Sequence, residues 1–186
     1  MAQDSTTVRV APNGHVSIAP YGTVLPTDVT TGLNASFKEL GYLDDSGASI
    51  TPSVDTNGIK AWQAATDVKT VLTAVNLDVK FQMIQVTQDT TANFFFGASW
   101  TNVVNTATLT MSSNPSLAFK SMVVEWTDDQ NYIYRLVCNR GILTDRDALT
   151  LKRSDAVAFG VTFHLLDDSG TLAKLLTNNP NILSGT

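Results

Sequence analysis

Two histidines, His15 and His164, one cysteine, Cys138, and three small carboxylate clusters are the residues whose types could do chemistry in this chain. Histidine is the usual general base or metal ligand. The two stand too far apart in sequence for a local metal motif. His164 alternates with Phe163 and Leu165, so a strand there puts it on the opposite face, solvated or at an interface. Cys138 ends the run Tyr132-Ile133-Tyr134-Arg135-Leu136-Val137-Cys138, an apolar stretch that suits a buried, inert thiol rather than a nucleophile. Asp44-Asp45-Ser46-Gly47 and Asp167-Asp168-Ser169-Gly170 share one spelling. A calcium loop needs oxygen ligands at alternating positions and a closing Glu. Neither segment has them, and both read as turns in which Asp and Ser bond the local backbone and Gly takes positive φ. Asp145-Arg146-Asp147 is a third charged turn. Paired carboxylates serve glycosidases, so an enzyme reading would rest on Asp145 or Asp147. The chain has no Gly-x-Ser-x-Gly elbow, no phosphate-binding Gly-rich loop, no Cys pair and no His-Glu-x-x-His. Asn34-Ala35-Ser36 matches a glycosylation pattern, which carries weight only in a secreted protein. The expectation is no catalytic residue, no cofactor and no metal.

The totals narrow the class further. A chain of 186 residues fits one domain with a real hydrophobic core. Charged residues make up 16%, against about 25% in an average domain, which hints that much of the surface faces other protein. A net charge of −5 with only 12 basic residues argues against gripping nucleic acid by its phosphates. A lone cysteine excludes an internal disulfide framework. No stretch is long and apolar enough for a helical membrane span, so no membrane anchor is expected. Met1–Thr7 has neither the basic start nor the apolar core of a signal peptide, and the expectation is a chain that folds where it is made.

The elements that must position these residues are mostly strands. Threonine is the commonest residue, and threonine and valine suit a pleated, half-buried surface. The clearest signal runs from Val71 to Gln85. Val71, Thr73, Val75, Leu77, Val79, Phe81 and Met83 share one face; Asn76, Asp78, Lys80 and Gln82 share the other. Two Asn-Gly pairs predict hairpins. One joins Thr7–Ala11 to His15–Ala19 around Asn13-Gly14; the other joins Ala48–Val54 to Ile59–Gln63 around Asn57-Gly58. Further strands are expected over Val103–Met111, Leu117–Trp126, Asn131–Cys138, Gly141–Leu143, Ala148–Leu151 and Val157–Leu166. Asp128-Asp129-Gln130 makes a turn. Many short strands separated by turn residues imply a sandwich or barrel. Thr87–Gly97 predicts one helix, with a Thr cap, a Gly stop and three phenylalanines to pack on the sheet. Leu33, Phe37 and Leu40 suggest another helical turn. The tail from Thr171 to Thr186 reads as an arm with little structure. Trp62, Trp100 and Trp126 lie in or beside strand-like runs and read as core or interface.

Several stretches, in order, resemble the major tail-tube protein of long-tailed bacteriophages, especially those of actinobacteria. Residues 11–23, with Ala11-Pro12-Asn13-Gly14-His15, are similar to that family's opening hairpin. Leu40–Gly47 and Ile50–Gln63 are similar to its long loop region. Val68–Thr73 leads into the two-faced strand, Phe94-Phe95-Phe96-Gly97 ends its helix, and Arg140–Leu143 through Asp155–Phe163 resembles its closing hairpin. Gly160 departs from the pattern, standing near where relatives carry a bulkier residue. The resemblance implies an all-β domain over residues 1–186 with one flanking α-helix, a β-sandwich or partial barrel that completes a shared inner barrel in a ring. It implies an N-terminal arm over 1–6, a long loop region over roughly 40–70 and a C-terminal arm over 171–186. It also implies homo-oligomeric hexameric rings stacked into a tube, with tape measure, terminator and distal tail proteins as partners. DNA would pass without specific binding, the chain would sit in the virion, and assembly would occur in the host bacterial cytoplasm. Asn76, Asp78, Lys80 and Gln82 are then candidate lumen-facing positions, although the same alternation suits an outer solvated strand. Alternatives are the tube of a contractile tail or of a secretion-type injection system, and, in another class, a carbohydrate-binding β-sandwich.

Overall fold

The computed structural model describes residues 7–113 and 118–183. The arm expected over residues 1–6, the position of Leu117 and residues 184–186 lie outside them. In chain order the elements are β1 (Asn13–Pro20), β2 (Lys38–Glu39), β3 (Leu43–Lys60), β4 (Asp67–Met83), α1 (Asp89–Phe96), β5 (Trp100–Val103), β6 (Thr106–Leu109), β7 (Lys120–Thr127), β8 (Ile133–Arg146), β9 (Phe159–Leu165), β10 (Lys174–Thr177) and α2 (Pro180–Leu183). One antiparallel sheet runs β2-β1-β7-β8-β9-β4-β3, with β10 added on β8, and β5 and β6 form a separate hairpin. The fold is all-β with a flanking helix, and the sheet does not close on itself.

The long strand β8 belongs to both halves of this sheet. Residues 133–138 and Gly141 pair with β7, Tyr134–Val137 pair with β10 on the other side, and Gly141–Arg146 pair with β9. Period-two alternation sends one set of side chains from each half into a single core. From the first half come the rows Val16–Val124–Leu136 and Ile18–Met122–Cys138. From the second come Val79–Phe163–Leu143, Phe81–Val161 and Met83–Phe159. Helix α1 adds Phe94 and Phe95; Phe95 stacks on Phe159 at 4.5 Å between ring centres, and Phe94 lies 6.1 Å from Phe163. Fully burying each such side chain contributes roughly 1.5–3 kcal/mol.

The other face of β1, β7 and early β8 is covered as well. Ala19, Val123 and Val137 pack under Phe37, with Leu25, Leu33 and Leu176 beside them. Arg135, 4% exposed, fixes this cover. Its guanidinium reaches Glu125 at 2.5 Å and donates to the carbonyls of Asp28 at 2.7 Å and Thr31 at 3.0 Å. Asp28 turns the covering loop, accepting the Thr30 and Thr31 backbone N–H groups and both hydroxyls. These donors, Thr31 N–H first, hold its carboxyl well below the usual carboxylate range.

Several expected boundaries move. Asn13-Gly14 lies inside β1 rather than in a turn, and residues 8–11 are not a strand. Asn57-Gly58 lies inside β3, opposite Val71 and Thr70, so the hairpin turns beyond Lys60 instead. The region around 40–70 is an extended two-stranded ladder. Asp44–Gly47 forms an irregularity within β3 rather than a free turn, with Gly47 at φ 65°. Leu33, Phe37 and Leu40 do not form a helix; Phe37 and Leu40 are buried as loop anchors on β1, where the Leu40 N–H donates to Val16. Helix α1 starts at Asp89 without a Thr cap and stops at Gly97, whose φ is 72°. β8 runs unbroken through Gly141, and residues 148–151 are not a strand. The tail is structured: β10 pairs with β8, the Asn178 carboxamide accepts the Ile133 N–H at 2.8 Å, and buried Asn179 donates to the Tyr134 hydroxyl at 2.6 Å. Gly160 has a local reason, because the Asp147 side chain occupies the space a Cβ would need.

Phe163→Ala is expected to cost about 3–5 kcal/mol through the cavity it leaves, read as a lowered urea midpoint with an unchanged slope. Arg135→Ala is expected to cost about 3–5 kcal/mol, because Glu125 and the two carbonyls lose their cation. The double change Arg135→Met with Glu125→Leu should recover much of that loss in the same titration.

Candidate functional site

The four polar positions of β4 do share a face, opposite the core residues Val79, Phe81 and Met83. Asn76, Asp78 and Gln82 are half-buried and Lys80 is exposed. Neighbouring strands extend the face. On β3, Ser53, Thr51 and Ser49 stand opposite Asn76, Asp78 and Lys80. On β9, His164, Thr162 and Gly160 stand opposite Asp78, Lys80 and Gln82. His164 Nδ1 lies 2.6 Å from Asp78 Oδ1, and Lys80 Nζ lies 3.5 Å from Asp147 Oδ1. These are partly solvated cross-strand pairs, each worth at most about 1 kcal/mol. Sequence alternation placed His164 off the core; it did not reveal the pairing with Asp78, because register across strands is not written in either strand alone.

The sheet half that carries this face ends in unpaired backbone on both sides. Among the described residues, β3 pairs only with β4 along its 18 residues. At the far edge, Ile142–Arg146 of β8 pairs only with β9. The order β8-β9-β4-β3 is thus a four-stranded antiparallel unit with two free edges. β9 stops pairing with β4 at Asp78, so the rest of β3 and β4 projects as a two-stranded ribbon. It exposes Val54 at 60%, Leu72 at 58% and Trp62 at 99%. Of the core-or-interface expectation, Trp62 is therefore not core and leaves the interface alternative, while Trp126 stacks on Tyr134 at 5.5 Å. An isolated two-stranded ribbon is marginal in water, and exposed apolar surface of this extent marks contact with another molecule.

The groups that could do chemistry are dispersed. His15 lies 3.7 Å from Glu125 on β7, remote in register from His164. The Cys138 thiol is 1% exposed, and burial pushes its pKa up to about 12, so it is a neutral thiol at physiological pH. Asp168 closes a tight turn with Thr171 and accepts from Tyr21 and Asn139. Asp145 sits on β8 opposite Thr162, while Asp147 is engaged by Lys80. Among the described residues no three His, Cys, Asp or Glu side chains are grouped to hold a metal ion. No helix among them is long and apolar enough to cross a membrane.

The sequence model of a family described as phage tail tube protein matches residues 1–184. No curated protein matches the chain. Among solved structures, the chain is similar to one from the cryo-EM structure of the anti-feeding prophage baseplate, 6-fold symmetrised, with a TM-score of 0.48 and 9% identity over 95% of this chain and 97% of that one. A likeness at that score adds nothing to the argument, which rests on the family match.

Proposed function

Matched over residues 1–184, the chain belongs to the phage tail tube protein family, and on that premise we propose that it is a non-enzymatic ring subunit whose β8-β9-β4-β3 unit joins its neighbours' units into one continuous inner barrel. Membership makes it a structural subunit of a phage tail tube, a virion component that acts in an oligomer with other tail proteins.

One observation carries it. The four-stranded unit is polar on one face, apolar on the other and unpaired at both edges. Edge strands are a liability that barrels abolish. Setting the short β8 edge, Ile142–Arg146, of one copy against part of the β3 edge of the next pairs the facing backbone groups of both and keeps the antiparallel alternation. Six copies with four strands each give a barrel of 24 strands. At ~4.8 Å spacing and ~45° tilt its backbone diameter is ~50 Å, leaving a bore of ~40 Å, wide enough for duplex DNA. Asn76, Asp78, Lys80 and Gln82 then line the lumen, with His164 and Thr162 beside them. On this face Asp78, Asp145 and Asp147 outnumber Lys80 and His164, and six copies at −5 carry about −30 per ring. A bore of that sign repels phosphate, so DNA slides without specific binding. The residues from 1 to 186 act as one tube domain. Assembly in the host cytoplasm with tape measure, terminator and distal tail proteins completes the proposal. The family match favours the tube over the carbohydrate-binding and enzymatic readings.

Negative-stain images of the concentrated protein should show hollow tubes or stacked six-membered rings, and images of the virion should show whether the tail is bare or sheathed. Rings of another copy number would reject the 24-strand barrel. In an Asn76→Cys variant, dispersed subunits should react with small and PEG-bearing maleimides alike, since native Cys138 stays silent. In tubes the small reagent should still react while the bulky one is excluded. Equal PEG labelling of tubes and subunits would remove Asn76 from the bore.

A further inference from the structure

Resting on the side-by-side reading above, a second contact follows from register. Across the four-stranded unit, Arg146, Val161, Phe81 and Ala48 stand level. The chain leaving β8 after Arg146 therefore descends toward the level of Asp44–Gly47, at the start of β3. If the β8 edge of one copy lies against the β3 edge of the next with Arg146 near the level of Ala48, residues 148–153 of the first arrive beside residues 43–48 of the second.

What waits there is a groove of about 660 Å³, at the seam where the sheet fails to close between β1 and β3. Trp126, Tyr42 and Ala48 supply apolar wall, and Asp44, Asp45 and Glu125 supply negative charge. Glu125 is partly engaged by Arg135 and His15; Asp44 is turned toward Ser46. The arriving segment is Ala148-Leu149-Thr150-Leu151-Lys152-Arg153, an alternating apolar sequence followed by two cations. Among the described residues of the subunit it has no strand partner, Leu149 is 44% and Leu151 74% exposed, and Lys152 makes an exposed ion pair with Asp155. Among the described residues it is a strand-forming sequence without a sheet, opposite in charge to the groove.

We propose that residues 148–153 of one copy dock in the β1–β3 groove of the next, Leu149 and Leu151 toward Trp126 and Tyr42, and Lys152 and Arg153 toward Asp44 and Asp45. The contact is heterologous, each copy offering a loop on one side and a groove on the other, which is the arrangement that closes into rings.

The test uses two readouts. A fluorescent peptide of residues 147–157 is titrated into the full-length Lys152→Glu/Arg153→Glu variant, whose groove is left vacant. Saturable binding is expected, weakened at least ~tenfold when Asp44→Lys/Asp45→Lys is added. No binding, or equal binding of a scrambled peptide, overturns the proposal whatever the protein assembles into. In the tube assay the loop variant and the groove variant should each block assembly, with circular dichroism showing both folded. The chain carrying all four changes should restore it. Wild-type tubes that persist in the loop variant would reject this docking and leave the tube reading intact. A wild type that forms no ring or tube would count against the tube reading, while the peptide titration still decides the docking.

Discussion

A backbone N–H or C=O at the edge of a sheet has only two favourable fates, water or another strand. The organisation of this chain follows from how unevenly that choice is made. β7 and the first half of β8 are paired on both sides over most of their length, and with β1, which β2 flanks only at Ser17 and Ile18, they are covered on both faces. β3 is paired on one side only, for its whole length, and half of it leaves the body altogether. A subunit with so long an open edge is soluble only while polar side chains guard it. Ser49, Thr51, Ser53 and Asp55 do so on one face, while Ile50 and Val54 remain exposed on the other. The same edge that threatens aggregation in a free molecule is what a repeating assembly requires.

The body is correspondingly rigid where it must hold that edge in place. Arg135 ties the covering loop to β7 and β8 through one ion pair and two carbonyl bonds, and Asp128 does the same at the β7–β8 turn. The Asp128 carboxylate accepts the Gln130 and Tyr132 N–H groups and lies 3.3 Å from Arg9. On the core side, the phenylalanines of α1 lock β4 and β9 together at the point where the ribbon departs. Gly141 is the matching device on β8, because a Cβ there would enter the Phe163 ring. A cation, a carboxylate, a ring cluster and a glycine thus fix the root of the projecting strands, and nothing comparable fixes their tip.

What could be read from the sequence was local and periodic. The alternation from Val75 to Met83 marked the two faces of β4, while a bulge at Thr73 turns the expected Val71 to the opposite face; Phe94 to Gly97 marked the end of α1, because in both the signal lies within a few consecutive residues. The errors lie where a distant partner overrode a local preference. Asn57-Gly58 is a strong turn signal, yet β4 pairs across it and the Asp67 carboxylate fills the space a Gly58 side chain would take. Leu33, Phe37 and Leu40 have helical spacing, yet they are anchors on different parts of one face. Asn178 and Asn179 read as tail residues because the groups they bond, Ile133 and Tyr134, lie far away in sequence. The polar face was legible as a set of four residues on one strand. Its His164 and Asp147 members were not, since they join it only through the β4–β9 and β8–β9 registers.

The mismatch between body and ribbon also bears on when order appears. The ribbon beyond Asp78 has no packing layer over Val54, Val71, Leu72 or Val75, and Trp62 at its tip is bare. A two-stranded ribbon without a covered apolar face draws little stability from its own contacts. Its ladder is held mainly by continuity with the anchored root at Val79–Phe163. Covering those side chains with a neighbouring copy would add apolar burial at about 25 cal/mol per Å² exactly where the isolated subunit has least. Stability gained only on contact makes each added copy a better template than the free chain, and it biases growth toward the end of an existing assembly rather than toward new starts.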